Sequence, residues 1–337
     1  MKRCLEVALL LGLLSLGLLP PAAAQELWAA GATFPFPIYA KWFDSFSARH
    51  PGIAIHYQPV GSETGIQRLK DGAVDFAASD MPLSDQQIAQ FSEGVLHFPS
   101  VLGGVVPIYN LPSVPRDLRF TPETLAGIFL GRIRRWNDPA LRTPNRGVRL
   151  PDSEIVVVHR SDGSGTSYVW TDYLAKVNPE WRRIVGSGSS VNWPAGVGAE
   201  FNEGVVKRVG GTPNTIGYVE YIFAVQNRLS YGLVRNAAGK FVQADLATIP
   251  KAVPAQGIPD DMRVSITNAA DPGAYPVAAF SYFLIPAHIS SSGKKQAITA
   301  FLEWMLTSGQ HQSAALGYAP LPDTVIARER EALTKIR

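Results

Sequence analysis

The sequence predicts an α/β protein of about two domains, and three observations support this prediction. Three apolar stretches each lead through a turn rich in glycine, serine or threonine into a helical pattern. The 337 residues exceed the roughly 100–200 residues of a single domain. Hydrophobic residues make up 46% of the chain and there is one cysteine, so we expect packing rather than disulfides to stabilise the core.

The N-terminal segment has the pattern of a secretory signal peptide. Lys2 and Arg3 precede a leucine-rich run over 5–19, and small residues stand before a cut after Ala24. The run is shorter than the roughly 20 residues that cross a bilayer, so we expect cleavage rather than a retained anchor. Cys4 lies in this leader, and the predicted mature protein is therefore free of thiols and is periplasmic or secreted.

The first junction after the leader predicts a strand, a turn and an amphipathic helix. Residues 27–30 form an apolar strand pattern, and the following turn ends at Pro37, whose missing N–H is harmless in a first helical turn. Helical spacing then places Lys41 and Asp44 on the outer face. The residues predicted to face the core are Ile38, Tyr39, Trp42, Phe43 and Phe46.

The second junction leads to a carboxylate at a strand end. Alternating residues over 53–57 predict a strand, and the turn over 61–65 opens a helical segment. The next strand, over 74–79, ends directly on Asp80. Ser84, followed three residues later by Gln87, predicts a capping box at the start of a further helix.

The third junction has the composition of an anion site. A β-branched run over 155–158 is followed by Arg160 and then by a turn of glycines and hydroxyls over 163–166. The N–H groups of a helix N-terminus attract anions, and a guanidinium forks onto tetrahedral oxyanions. We therefore predict that Arg160, Ser164 and Thr166 hold a group such as phosphate or sulfate.

Asp80 distinguishes these two anions on chemical grounds. A carboxylate accepts hydrogen bonds but cannot donate them, so it rejects sulfate, which carries no proton near neutral pH. Phosphate carries a proton there and can donate it to Asp80. Asp80 is therefore predicted to favour phosphate; its alternative role is an ordinary cap or turn aspartate before Pro82.

Other chemistries have weaker support. Ser164 is a candidate nucleophile of a serine hydrolase, but Asp162 stands where the nucleophile-elbow pattern requires glycine. His159 is predicted to point to the opposite side of its strand from Arg160. The histidines show no metal-ligand spacing, so we expect no metal and no cofactor. A net charge of +3 without a basic stripe argues against nucleic-acid binding.

Three further predictions concern the rest of the chain. The glycine- and serine-rich stretch over 186–198 is expected to be a flexible surface loop. The alternating charges over 328–331 are expected to form a solvated helix face. The segments near 100–106 and 262–272 are expected to be crossings between domains.

A series of motifs covers most of the chain after the leader. They include Gly31-Ala32-Thr33-Phe34-Pro35, Ala78-Ser79-Asp80, Arg160 with Asp162-Gly163-Ser164-Gly165-Thr166-Ser167, and Ile216-Gly217-Tyr218-Val219-Glu220-Tyr221. In this order they resemble the periplasmic phosphate-binding proteins that supply phosphate ABC importers. The resemblance implies a type II periplasmic-binding-protein (venus-flytrap) fold, an α/β architecture of two lobes joined by hinge strands. It implies lobe I over 25–102 plus 267–337 and an inserted lobe II over 103–266.

The resemblance also implies a set of phosphate contacts. Asp162 is the implied partner that holds Arg160 in place. Glu63 and Thr64 depart from the small residues usual in the family, and we expect the Glu63 side chain to point outward. The implied contacts are the backbone and hydroxyl of Thr33, the N–H of Phe34, Ser62, Asp80, Arg160, Ser164, the backbone of Gly165 and the hydroxyl of Thr166.

The function that the resemblance implies is capture of one phosphate ion between closing lobes and its delivery to the membrane permease subunits of an ABC importer. We expect a monomer that is not an enzyme. Three alternatives stay open: a binder of another oxyanion such as sulfate, molybdate or tungstate, the secreted serine hydrolase, and an adhesion or scavenging protein that works without a transporter.

Overall fold

The computed structural model describes residues 25–114 and 117–337, and the predicted signal peptide lies outside them. Within these ranges none of the helices combines the length and apolar character that a membrane crossing needs.

A π-helical turn covers Met305–Gly309, and 3₁₀ turns cover Pro250–Ala252 and Ala314–Leu316. The strands are β1 (Gln25–Gly31), β2 (Ile53–Pro59), β3 (Phe76–Ser79), β4 (Val95–Asn110), β5 (Arg119–Phe120), β6 (Val156–Arg160), β7 (Val197–Ala199), β8 (Thr215–Glu220), β9 (Ser230–Tyr231), β10 (Leu233–Arg235), β11 (Phe241–Val242) and β12 (Ala278–Pro286). The α-helices are α1 (Phe36–Arg49), α2 (Ser62–Lys70), α3 (Asp85–Ile88), α4 (Pro122–Phe129), α5 (Pro139–Arg142), α6 (Gly165–Val177), α7 (Pro179–Ile184), α8 (Phe201–Gly211), α9 (Tyr221–Gln226), α10 (Ser292–Trp304), α11 (Gln310–Ser313) and α12 (Asp323–Leu333).

A mixed β-sheet runs through the molecule. Among the described residues it has nine strands, in the order β2-β1-β3-β12-β4-β8-β6-β7, with β9 paired to β4 as well. The strand β1 is parallel to β2 and β3, and β6 is parallel to β7 and β8. The central strands β12 and β4 are antiparallel to their neighbours. Each end of the sheet is therefore a parallel α/β unit, in which ligands bind beyond the carboxyl ends of the strands.

The long strand β4 joins the two ends of the sheet because it changes partner along its length. Up to Gly104 it pairs with β12, and from Val105 onward it pairs with β8. A Cβ at Gly103 would lie 2.5 Å from the ring of Phe34, so the glycine lets this ring approach the strand. Phe34 is therefore packed where the two ends of the sheet meet.

Helix α1 confirms the predicted core face. All five predicted residues are buried, whereas Lys41 and Asp44 are exposed, and Pro37 lies in the first turn. The capping box is also confirmed, because Oγ of Ser84 accepts a hydrogen bond from the N–H of Gln87 at 3.2 Å and the Gln87 side chain accepts one from the N–H of Ser84 at 2.9 Å. Local rules thus predicted where these helices begin.

The predicted solvated face over 328–331 is wrong at one position. Helix α12 buries Glu329 together with Val325 and Ala332, and among the described residues neither carboxylate oxygen of Glu329 has a hydrogen-bond partner. Burial raises the pKa of Glu329 well above its usual value, which favours the neutral carboxyl. Residue 329 follows Val325 by four positions, so helical spacing places it on the core face.

The stretch over 186–198 is anchored rather than free. Its Ser189 carbonyl accepts a hydrogen bond from the N–H of Ser164 at 3.0 Å, just before α6 begins. The hydroxyl of Thr171, on α6, accepts from the N–H of Gly188 at 3.0 Å and donates to its carbonyl at 3.1 Å. The stretch lies at the surface as expected, its first half is tied to α6 by these hydrogen bonds, and its last two residues belong to β7.

Candidate functional site

The first wall of the candidate site comes from the N-terminal part of the chain. Thr33 follows β1, Ser62 begins α2 and Asp80 follows β3, and all three side chains are buried. Oγ of Ser62 accepts a hydrogen bond from the N–H of Asp80 at 3.3 Å, which ties the start of α2 to the end of β3. Because β1 and β3 are parallel neighbours, their carboxyl ends present these residues at one edge.

Phe34 continues this wall through its backbone. Its side chain is fully buried, and its carbonyl accepts a hydrogen bond from the hydroxyl of Tyr318 at 2.7 Å. The carbonyl of Thr33 accepts from the N–H of Phe36 at 3.2 Å as the chain turns into α1. These bonds fix the turn that carries the N–H of Phe34.

The second wall comes from the end of β6 and the start of α6. The strand ends at Arg160, and Ser164 caps the helix by accepting a hydrogen bond from the N–H of Ser167 at 3.1 Å. The helix itself begins at Gly165. Because the first N–H groups of a helix have no acceptor within it, the start of α6 presents donors to the cleft.

Arg160 is buried in this wall and held in one orientation. Its Nε and Nη2 donate to the two carboxylate oxygens of Asp162 at 2.6 and 2.5 Å, and its Nη1 donates to Oγ1 of Thr166 at 3.3 Å. Oδ1 of Asp162 also accepts from the N–H of Phe201 at 3.0 Å. The guanidinium is thus pre-organised, and its charge is already balanced by one carboxylate.

The two walls are in direct contact. A Cβ at Gly165 would lie 2.5 Å from Oδ2 of Asp80 and closer still to Oγ of Ser62. Nδ2 of Asn202, at the start of α8, donates to Oγ1 of Thr33 at 2.9 Å and to Oγ1 of Thr166 at 3.5 Å. The structure therefore brings all the predicted contact residues into one region between the two ends of the sheet.

Asp80 keeps one of its two carboxylate oxygens unpaired among the described residues. Its Oδ1 accepts a hydrogen bond from the Ser281 hydroxyl on β12, whereas its buried Oδ2 has no partner among the described residues. Burial raises the pKa of Asp80 to about 7, although the Ser281 hydrogen bond and the positive charge of Arg160 act in the opposite direction. Oδ2 can therefore accept a hydrogen bond from a protonated group bound beside it in the region between the two walls.

A second buried acid, Glu220, lies near the cleft at the end of β8. Its Oε2 caps α9 by accepting from the N–H of Ile222 at 2.8 Å, and its Oε1 has no partner within the described ranges. Burial raises the pKa of Glu220 well above its usual value, and the negative charge of Asp80 adds to this effect. A neutral Glu220 adds no negative charge to the region where an anion would lie.

Several residues that complete the region were not predicted from the sequence. Asn202 and Ser281 have no local signal, because they reach Thr33 and Asp80 across 169 and 201 positions. The hydroxyl of Tyr218 accepts from the N–H of Arg160 at 3.1 Å and lies 2.6 Å from Oγ of Ser167. Only Tyr218 lay in a motif that could have drawn attention to it.

Among the described residues, the parts of a serine hydrolase are not brought together around Ser164. The Ser164 hydroxyl caps α6, while the His159 ring lies 2.9 Å from the carbonyl of Arg160 and stacks on Trp193 with ring centroids 4.9 Å apart. In the described part of the chain no histidine hydrogen-bonds to Ser164, and no cluster of three acidic, histidine or cysteine side chains is suited to a metal ion. What the region offers is hydrogen bonding and charge for a small anion.

Comparisons with known proteins agree with this architecture. The model of the PBP superfamily domain matches residues 20–308. The phosphate-binding protein PstS of Pasteurella multocida is 41% identical over 97% of this chain and 94% of its own length, and that of Xylella fastidiosa (strain Temecula1) is 40% identical over 91% and 85%. A solved structure of a high-affinity periplasmic phosphate-binding protein, bound with phosphate, shares the fold at a TM-score of 0.73 and 22% identity, covering 91% of this chain and 93% of that chain. The predicted two-lobe α/β fold is thus confirmed, and the chain belongs to the PstS phosphate-binding protein family of the PBP superfamily.

Proposed function

We propose that this protein captures inorganic phosphate between its two walls and delivers it to the permease subunits of an ABC importer. The observation that carries the proposal is the buried Oδ2 of Asp80, which faces Gly165 and has no partner among the described residues. Monohydrogen phosphate can donate its proton to this oxygen, whereas sulfate near neutral pH cannot. Membership of a family whose members are named phosphate-binding proteins supports the same ligand.

The other groups of the two walls would hold the remaining phosphate oxygens. Arg160, the Thr166 hydroxyl and the first N–H groups of α6 supply donors from one side, with Ser164 at the cap. The hydroxyls of Thr33 and Ser62 and the N–H of Phe34 supply donors from the other side. Each charge-assisted hydrogen bond contributes about 1.5–3 kcal/mol, so a few of them suffice for micromolar or tighter binding. No bond needs to be broken, and we propose a binding protein rather than an enzyme.

We further propose that binding closes two lobes, 25–102 plus 267–337 and 103–266. The change of partner along β4 between Gly104 and Val105 and the bond from Asn202 to Thr33 support this division. Opening at such a hinge admits the anion, and closing removes it from water. We also propose that the protein is exported after cleavage following Ala24 and acts as a monomer in the periplasm.

Calorimetric titration tests the proposed ligand. The phosphate-free protein that begins at Gln25 is titrated with phosphate and with sulfate at pH 8. We expect low-micromolar or tighter binding of phosphate and at least a hundredfold weaker binding of sulfate. The Asp44→Asn variant, altered at an exposed carboxylate on α1, should behave like the unaltered protein. No heat from phosphate, or equal affinity for the two anions, would contradict the proposal.

A further inference from the structure

Glu63 connects the two walls and is not one of the predicted phosphate contacts. Its N–H donates to the carbonyl of Gly163 at 3.1 Å. Its Oε2 accepts hydrogen bonds from Oγ of Ser189 at 3.1 Å and from Oγ of Ser190 at 2.9 Å. Glu63 lies in proposed lobe I and its three partners lie in proposed lobe II, so one exposed residue makes three hydrogen bonds across the cleft.

The backbone is shaped for this contact. A Cβ at Gly163 would lie 3.0 Å from Cδ of Glu63 and closer to its Cβ. Gly61, whose φ is +88°, would bring a Cβ to 2.8 Å from both the carbonyl oxygen of Gly163 and Oδ2 of Asp162. The turns that contain Gly61 and Gly163 therefore approach each other more closely than side chains at these positions would allow. The two glycines thus make the contact between the walls possible.

The serine side of the contact is fixed relative to the anion region. The Ser189 carbonyl accepts from the N–H of Ser164, and Gly188 is bonded in both directions to the hydroxyl of Thr171. One anchor is the cap of α6 and the other, Thr171, lies in its second turn. The two serine hydroxyls therefore lie at a defined position beside the helix end that would bind the anion.

We propose that Glu63, Ser189 and Ser190 form an interlobe latch that prolongs the closed, phosphate-bound state without touching the anion. This inference rests on the proposed function. An exposed carboxylate repels a nearby anion, so direct binding is not its role; its hydrogen bonds exist only while the two turns are together. Contacts of this kind slow dissociation more than they speed encounter. The latch therefore sets how long phosphate stays bound and leaves the choice of anion to Asp80.

A set of four variants tests the latch. Glu63→Ala, Ser190→Ala and the double variant are compared with Thr64→Ala, a matched control at the exposed neighbouring position of α2. Stopped-flow fluorescence with a phosphate trap gives the dissociation and association rates, and calorimetry gives the affinity for phosphate and sulfate. We expect Glu63→Ala to speed dissociation by about three- to ten-fold, with association and the sulfate-to-phosphate ratio nearly unchanged. The double variant should be no faster than Glu63→Ala, because the two side chains share one interaction.

Several outcomes would overturn the latch. These are a dissociation rate of Glu63→Ala equal to that of Thr64→Ala, tighter phosphate binding after removal of the carboxylate, and additive effects in the double variant. If the unaltered protein fails to bind phosphate, the proposed function is overturned instead. Small-angle scattering without any anion then still tests the latch: a larger radius of gyration for Glu63→Ala than for Thr64→Ala supports it, and equal radii contradict it.

Discussion

Asp80 in the cleft and Glu329 on the buried face of α12 both have carboxylate oxygens that lack hydrogen-bond partners among the described residues. Burial raises the pKa of both. Asp80, however, accepts a hydrogen bond from Ser281, lies in the field of Arg160 and faces Gly165, whereas burial alone shifts the pKa of Glu329. We therefore expect a buried acid to mark a ligand site only where hydrogen-bond donors and a cation converge on the same space.

Replacing Arg160 removes the positive charge near Asp80. The surroundings of Asp80 should then most resemble those of Glu329. We expect Arg160→Ala to weaken phosphate binding by about a hundredfold or more, because charge-assisted hydrogen bonds are lost and Asp162 keeps a carboxylate without its partner. Arg160→Lys should give an intermediate loss of phosphate affinity, since lysine keeps the positive charge but lacks the paired N–H donors of the guanidinium. Calorimetry measures both, with circular dichroism to verify folding. Unchanged affinity in Arg160→Ala would show that phosphate binds elsewhere.

Neutralising Asp80 should remove the discrimination between phosphate and sulfate while the binding site itself is retained. We expect Asp80→Asn to bind sulfate about ten-fold more tightly or better than the unaltered protein, because the amide can donate to an acceptor-only anion. In the unaltered protein the same change should occur as pH falls below about 7, where Asp80 becomes protonated. Sulfate titrations at pH 6 and pH 8 measure both effects. Equal exclusion of sulfate by the variant and the unaltered protein would refute this role of Asp80.

The raised pKa of Asp80 also affects stability without phosphate. The unfolded carboxyl ionises near 3.8 and the folded one near 7, so the folded protein binds more protons between these values and the free energy of unfolding falls as pH rises through this window. Asp80→Asn should therefore raise the free energy of unfolding at pH 8 by about 2–4 kcal/mol. Denaturant titration of the phosphate-free protein measures this free energy of unfolding. A variant that is less stable at pH 8 than the unaltered protein would contradict this linkage.

Glu329→Gln should change stability alone. The raised pKa of Glu329 means that its ionisation destabilises the folded protein as pH rises. We expect the variant to be more stable by about 1–2 kcal/mol at pH 8, with a smaller gain at pH 5 and with unchanged phosphate affinity. Glu331→Gln, on the exposed face of α12, is the matched control and should show no such gain. A changed phosphate affinity in Glu329→Gln would remove the distinction from Asp80.

Features that depend on nearby residues were predictable from the sequence. Helical spacing identified the buried face of α1, the capping rule identified Ser84, and the glycine and hydroxyl pattern after Arg160 identified the start of α6. These features follow from backbone geometry and local hydrogen bonding, which a short window of sequence contains.

Features that depend on distant segments were not predictable in the same way. Asn202, Ser281 and the serines that meet Glu63 come from elements far along the chain, and only the folded topology brings them to the cleft. The error at Glu329 has a different cause, since the charge pattern was interpreted without the position of Val325 four residues earlier. Helical phase would have placed Glu329 on the core face.

A crystal structure of the phosphate complex at pH 8 tests most directly whether Oδ2 of Asp80 accepts a hydrogen bond from a protonated anion. We predict a phosphate oxygen about 2.5–3.0 Å from this atom, with Arg160 and the first N–H groups of α6 on the other oxygens. Phosphate bound outside the region between the two walls, or bound there without contact to Oδ2, would contradict the prediction.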